Sequence, residues 1–217
     1  MKQIPEAREV AIAQAYHLKA VWKTYAQWAF WVGVAFFFVY PLCNWISSQR
    51  GDVYQLYLQA ELTIPLVPAF IWAYISMYVL FLLPPFFLSV SELVLLGKRI
   101  VVGTIISGVI FLLFPSQLGF ERVVPEGFHG DFFSQIFTLD LPYNMAPSLH
   151  VVYSGFILLA VYSATEKGPV RIAAIVWLIL IMLSTLFVHQ HHLLDIVLAM
   201  SVIGVINHKI IKGEKNV

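Results

Sequence analysis

An all-α, polytopic membrane protein is what this sequence predicts: a bundle of six transmembrane helices preceded by an interfacial helix. Three observations carry that prediction. Of the 217 residues, 60% are hydrophobic and only 12% charged, against about 45–50% and about 25% in ordinary soluble domains. The few charges bracket apolar stretches of the length a helix needs, about 20 residues, to cross the hydrocarbon core of a bilayer. Those stretches do not alternate polar with apolar, which excludes the strands of a membrane barrel.

The elements follow in order. Residues 1–23 form a partly amphipathic segment, with Ile4, Val10, Leu18 and Trp22 apolar and Lys19 and Lys23 at its end. Such a pattern suits a helix lying on the membrane surface. No small-residue cleavage site follows a short apolar run, so no removable signal peptide is expected. No charge occurs between Lys23 and Arg50, and residues 24–46, rich in Phe, Trp and Val, are the first span. Between Glu61 and Glu92 the apolar body is residues 66–90, with Pro84 and Pro85 expected to kink it and Pro41 able to kink the first span. Residues 100–114, 147–164 and 172–188 are the third, fourth and fifth spans, and 193–211 the sixth, with Asp195 at one end and Lys209 at the other. Lysine at a span end snorkels to the interface. The membrane domain is thus 24–211, followed by a tail of residues 212–217. No repeat, low-complexity tract or second domain is visible.

Six spans place both termini on one side. Eleven basic residues fall there: Lys2, Arg8, Lys19, Lys23, Lys98, Arg99, Lys167, Arg171, Lys209, Lys212 and Lys215; only Arg50 and Arg122 fall on the other. The positive-inside rule then makes both termini cytoplasmic. Loops 47–65, 115–146 and 189–192 face the extracytoplasmic or lumenal side. A net charge of +1 leaves no electrostatic footprint for nucleic acid. The single cysteine, Cys43, has no partner for an internal disulfide.

Ionisable groups near spans are expensive and need a reason. Three places hold them: Arg122 after the third span, Ser148 and His150 at the start of the fourth, and His189, His191, His192 and Asp195 between the fifth and sixth. Antiparallel topology brings all three to one level. His191 and Asp195, four apart, share a face if the sixth helix starts by His191. The carboxylate can then hold the Nδ1 proton and leave Nε2 as a nucleophile or base. The same pair also fits a structural hydrogen bond, or a carboxylate serving the helix dipole. Pro147 suits a first helical turn, so Ser148 and the free amides there can bind an anion, with His150 beside it. An ordinary proline-started helix fits as well. Arg122 can clamp a phosphate or pair with Glu121 or Glu126. The three histidines lack the paired spacing of a zinc site, and no metal or cofactor is expected.

These residues resemble the type 2 phosphatidic acid phosphatase superfamily. That family carries Lys, six residues, Arg-Pro; then Pro-Ser-Gly-His; then Ser-Arg, five residues, His, three residues, Asp. The chain has Pro147-Ser148-Leu149-His150, and Ser184-Thr185, five residues, His191, three residues, Asp195. It departs at Pro115, where the family has lysine, at Val123 for proline, at Thr185 for arginine and at Leu149 for glycine. The motif style is similar to the branch of inositol phosphorylceramide synthases, and sphingomyelin synthases share its relaxed third motif.

The resemblance implies a membrane enzyme acting on a lipid phosphate ester through a phosphohistidine, as a phosphatase or as a head-group phosphotransferase. His191 would be the nucleophile, Asp195 its orienting carboxylate and His150 the proton donor to the leaving alkoxide. Arg122 and Ser148 would hold phosphate oxygens, with His189 and His192 as substitutes for the missing cations. Fewer cations suit a diester, which carries less charge than a monoester. A non-catalytic transporter or structural protein is the competing class. Its spans would be expected to carry a second tier of buried charge, which these lack.

Overall fold

The computed structural model describes residues 3–214 as backbone and residues 9 and 12–208 with their side chains. Among the described residues the chain is all-helical, with two isolated β-bridges and no strand. Helix α1 (Gln3–Ser48) runs unbroken through Lys23 and through Pro41. No break in the backbone therefore separates the amphipathic segment from the first apolar one. The apolar stretch Ile12–Ser48 has 37 residues, about 55 Å at 1.5 Å per residue, well beyond the ~30 Å hydrocarbon thickness.

The second apolar segment is not one kinked helix. After two 3₁₀ turns (Gln59–Thr63 and Pro68–Phe70) it advances as α2 (Ile71–Ile75), α3 (Met77–Leu80) and α4 (Pro84–Phe87). The joints are explained locally. The Ser76 hydroxyl donates back to the Ala73 carbonyl at 2.6 Å, and bonds of three-residue reach link Leu82 to Val79, Leu83 to Leu80 and Phe86 to Leu83. Pro84 and Pro85 then contribute no N–H. Trp177 Nε1 donates to Ser76 Oγ at 2.8 Å and ties the broken segment to a later helix.

Helix α5 (Val90–Leu113) starts ten residues earlier than the charge pattern predicts. Its N-cap is Ser89, whose backbone N–H donates to Glu92 Oε2 at 2.8 Å while Glu92 N–H returns to Ser89 Oγ. This capping box outweighs Lys98 and Arg99, which lie inside the helix. Its pairing with α1 is the most extensive in the molecule and depends on glycine. A Cβ on Gly97 would run into the Trp28 ring, and one on Gly108 into Val39; small residues let the two backbones approach.

The loop expected between the third and fourth spans contains a helix, α6 (Phe128–Leu139). Helices α7 (Leu149–Ala164), α8 (Gly168–Phe187) and α9 (Leu193–Glu214) coincide in extent with the last three apolar segments of the sequence. Residues 212–214 of the expected tail continue α9, and 215–217 lie outside the described residues. The main core joins Phe111 and Leu96 of α5 to Val152, Phe156 and Ile157 of α7, Ile181 of α8 and Ile203 of α9. Large apolar side chains such as Phe30, Phe37, Phe38, Ile172 and Val197 stay exposed, a surface that needs lipid and not water around it. Among the described residues three helices, α1, α5 and α8, are long and apolar enough to cross a membrane, and Pro68–Leu80, Leu149–Ala164 and Leu193–His208 are shorter apolar helices. This is a membrane protein.

Candidate active site

Backbone hydrogen bonds draw three loops together at one end of the molecule. Tyr54 and Gln117 connect residues 49–70 to residues 115–118, Leu118 N–H donates to the Pro142 carbonyl, and Val67 N–H donates to the Phe187 carbonyl. Ser148 N–H, at the start of α7, donates to the Asp195 carbonyl at 3.1 Å. The predicted convergence of His150 with His191 and Asp195 is therefore present, fastened through main chain.

His191 precedes α9 by two residues and does not share a helical face with Asp195. The pair meets because Asp195, in the first turn, folds its carboxylate back: Oδ2 accepts the His192 N–H at 2.7 Å and lies 3.2 Å from His191 Nδ1. The other neighbour of Nδ1 is the Met145 carbonyl oxygen, at 3.1 Å. Both neighbours are acceptors, so Nδ1 carries the hydrogen, and in the neutral ring the lone pair is on Nε2. One oxygen thus both caps the start of α9 and faces the His191 ring. The Thr185 carbonyl accepts the N–H groups of both Gln190 and His191 at 3.0 Å, so the residue standing where the resembled motif has arginine positions the loop through its backbone.

His191 and His150 line one cavity of about 670 Å³. Its body is apolar, built from Trp28, Val32 and Phe36 of α1, Leu96 and Ile100 of α5 and Ile157 of α7. Its polar end holds His191, His150, Tyr40, Tyr74, Tyr78 and Asp140. The two imidazole rings stand 6.4 Å apart between centroids. His150 stacks on Tyr74 at 3.9 Å, and its Nε2 is buried with no hydrogen-bond partner.

The other predicted residues are elsewhere. Ser148 is fully buried as the N-cap of α7, its oxygen accepting from Val151 N–H at 3.5 Å, and it does not line the cavity. Arg122 does not line it either. One guanidinium nitrogen donates to the carbonyls of Phe137 (3.4 Å) and Asp140 (2.7 Å), and the group lies over the Phe137 ring. Its contact is with the end of α6 and not with Glu121 or Glu126. Burial lowers its pKa, opposed mainly by the charge of Asp140.

His189 and His192 are not spare cations. His189 Nε2 lies 2.9 Å from the Ile64 carbonyl, and His192 Nε2 accepts the Gly119 N–H at 3.0 Å, which requires an unprotonated nitrogen. Burial lowers the pKa of both rings. They sandwich Phe120, at 4.1 and 4.6 Å, and Tyr57 covers the far face of His192. Among the described residues no three His, Cys, Asp or Glu side chains converge on a metal position.

Two acids that the sequence motifs leave without a role lie at this end. Glu61 is buried; Oε1 accepts Leu58 N–H at 2.9 Å, and Oε2 accepts Leu193 N–H, at the start of α9, at 2.8 Å. Oε2 also lies 3.3 Å from His192 Nδ1. Asp140 accepts from Tyr40 Oη (2.8 Å) and Asn44 Nδ2 (2.9 Å) at Oδ1. Burial pushes its carboxyl above the ordinary carboxylate range, against the Tyr40 hydrogen bond, the nearby His191 and Arg122, and the Asn44 hydrogen bond. A visible signal was its setting, an acid inside Phe137-Thr138-Leu139-Asp140-Leu141-Pro142, where a solvated loop would carry more polar company.

No protein-family profile, curated protein or solved structure matches the chain. Fold and site together define an all-helical membrane protein with a largely apolar cavity that two histidines line.

Proposed function

We propose that the chain is a membrane enzyme of lipid phosphate esters, a phosphatase or phosphotransferase resembling the type 2 phosphatidic acid phosphatases, working through a phosphohistidine. The observation that carries this reading is the placement of two imidazoles at the polar end of an apolar cavity, one of them with Nδ1 held by a carboxylate. The membrane domain is a six-helix bundle of α1, the broken second segment, α5, α7, α8 and α9, with both termini cytoplasmic and the loop end extracytoplasmic. An amphipathic substrate fits it: chains in the apolar body, phosphate at the histidines.

In the first step His191 Nε2 attacks phosphorus in line, and Asp195 supports the positive charge that develops on the ring. The leaving alkoxide takes a proton from His150. Removing a general acid of this kind costs typically 10²–10⁴-fold. The second step transfers the phosphoryl group from His191 to an incoming hydroxyl. Arg122 acts on the site by its field from behind Asp140, and Ser148 by fixing the start of α7.

The test is phosphate and head-group release by the purified protein from a panel of lipid monoesters and diesters, with His191→Ala alongside. Turnover of a member of the panel, absent in His191→Ala and accompanied by an acid-labile label on the wild-type chain, supports the reading. Turnover that survives His191→Ala refutes it.

A further inference from the structure

Asp140 is a carboxylate where a phosphate-binding cavity has least use for one. Its Oδ1 is occupied by Tyr40 and Asn44, while no hydrogen bond among the described residues reaches Oδ2, although the side chain lines the cavity. Around it stand Tyr40 from α1, Tyr74 and Tyr78 from α2 and α3, His191 and His150 from the loop and α7, and Arg122 behind its main chain. A full negative charge here repels a dianionic phosphate monoester. A neutral hydroxyl, by contrast, gains a charge-assisted hydrogen bond.

We propose that Asp140 Oδ2 is the acceptor and base for the hydroxyl of an apolar-chain alcohol that attacks the phosphorylated His191. This deepens, and rests on, the phosphohistidine reading above. The hydroxyl oxygen bonds to phosphorus, the bond from phosphorus to Nε2 breaks with its electron pair returning to the ring, and the hydroxyl proton passes to Asp140. Proton loss from Asp140 to solvent, together with proton uptake from solvent by His150, resets the site. The apolar body of the cavity selects the alcohol, since its chain occupies the same Trp28, Val32 and Phe36 wall that a lipid chain would. Tyr40 and Asn44 hold Oδ1 and leave Oδ2 free of hydrogen bonds from the described residues.

Orthovanadate, which takes the place of the transferring phosphoryl group, separates the two layers of the argument. Its affinity for the detergent-purified full chain is read by thermal shift, alone and with decanol, decane or glycerol. Wild type should bind vanadate and His191→Ala should not. Decanol should tighten vanadate about tenfold or more, the scale of one hydrogen bond to a charged group, and decane should not. Asp140→Asn keeps an oxygen for Tyr40 and Asn44, so it should bind vanadate alone yet lose the decanol effect. Asp140→Ala is the second variant, and either one that still answers to vanadate is decisive. Equal tightening in wild type and variant, no tightening at all, or tightening by glycerol alone overturns the role of Asp140 while leaving His191 in place. Loss of the vanadate response in both variants makes Asp140 structural and also overturns it. Absence of any vanadate response in wild type overturns both layers.

Discussion

Glu61→Gln is the perturbation on which the architecture of the loop end can be tested most sharply. Both carboxylate oxygens accept a backbone N–H, from Leu58 and from Leu193, so only a group with two acceptor oxygens satisfies the site. Glutamine offers one oxygen and turns an NH₂ towards the other donor. A hydrogen bond to a charged group contributes about 1.5–3 kcal/mol when buried; both bonds here are half-buried, so about 1–2 kcal/mol is the expected cost of glutamine. Alanine leaves both donors unmet and should cost about 2–4 kcal/mol. With roughly 2–4 °C per kcal/mol for a chain of this size, Glu61→Gln should melt about 2–8 °C lower, and Glu61→Ala lower still. The assay is thermal unfolding in detergent, followed by tryptophan fluorescence. A glutamine variant melting within a degree of wild type, or an alanine variant no worse than glutamine, would refute the reasoning.

The remaining predictions concern the cavity and its walls. Asp140→Asn should stabilise the chain increasingly as pH rises. Burial raises the folded carboxyl above its ordinary value, so the stability contributed by Asp140 is present in full below the ordinary carboxylate range and is lost as pH rises through the folded value. Melting of wild type and variant at pH 4 and pH 8 checks this, and a gap that narrows with pH contradicts it. Asp195→Asn should lower turnover about 10²–10⁴-fold with little change in KM, because the carboxylate touches the nucleophile and not the substrate; steady-state kinetics on any accepted lipid decide. Gly97→Ala should cost about 1–3 kcal/mol by overpacking, since its Cβ meets the Trp28 ring, and a melting point unchanged from wild type would exclude that contact.

Hydropathy makes α7, α8 and α9 legible because long apolar runs there end at charges or at a helix-starting residue such as Ser148. The start of α5 is not legible that way: charge counting stops at Arg99, whereas the Ser89–Glu92 box is a local hydrogen-bond signal that overrides it. The second segment breaks because Ser76 and two prolines dictate short-range bonding, which composition does not register. His191 and Asp195 are legible as a pair by spacing, although the pair is made by a carboxylate reaching back from α9 and not by a shared face. Arg122 and Ser148 are singled out by residue type, yet their partners are a carbonyl cluster and a helix cap. Glu61 is invisible because burial of an acid in a loop is decided by chain segments far away in sequence, and Asp140 shows itself only by its apolar neighbours.

The four-ring column of His189, Phe120, His192 and Tyr57 has a consequence for speed. His191 lies between two residues whose rings are clamped in that column, and His189 holds a left-handed backbone (φ 55°) with its ring tied to Ile64. The loop that carries the proposed nucleophile therefore has few conformations left to surrender when a substrate arrives. Its ordering entropy is settled during folding and does not reappear in the activation barrier. For the proposed reaction, the arrangement of the imidazole would be the same before, during and after each turnover.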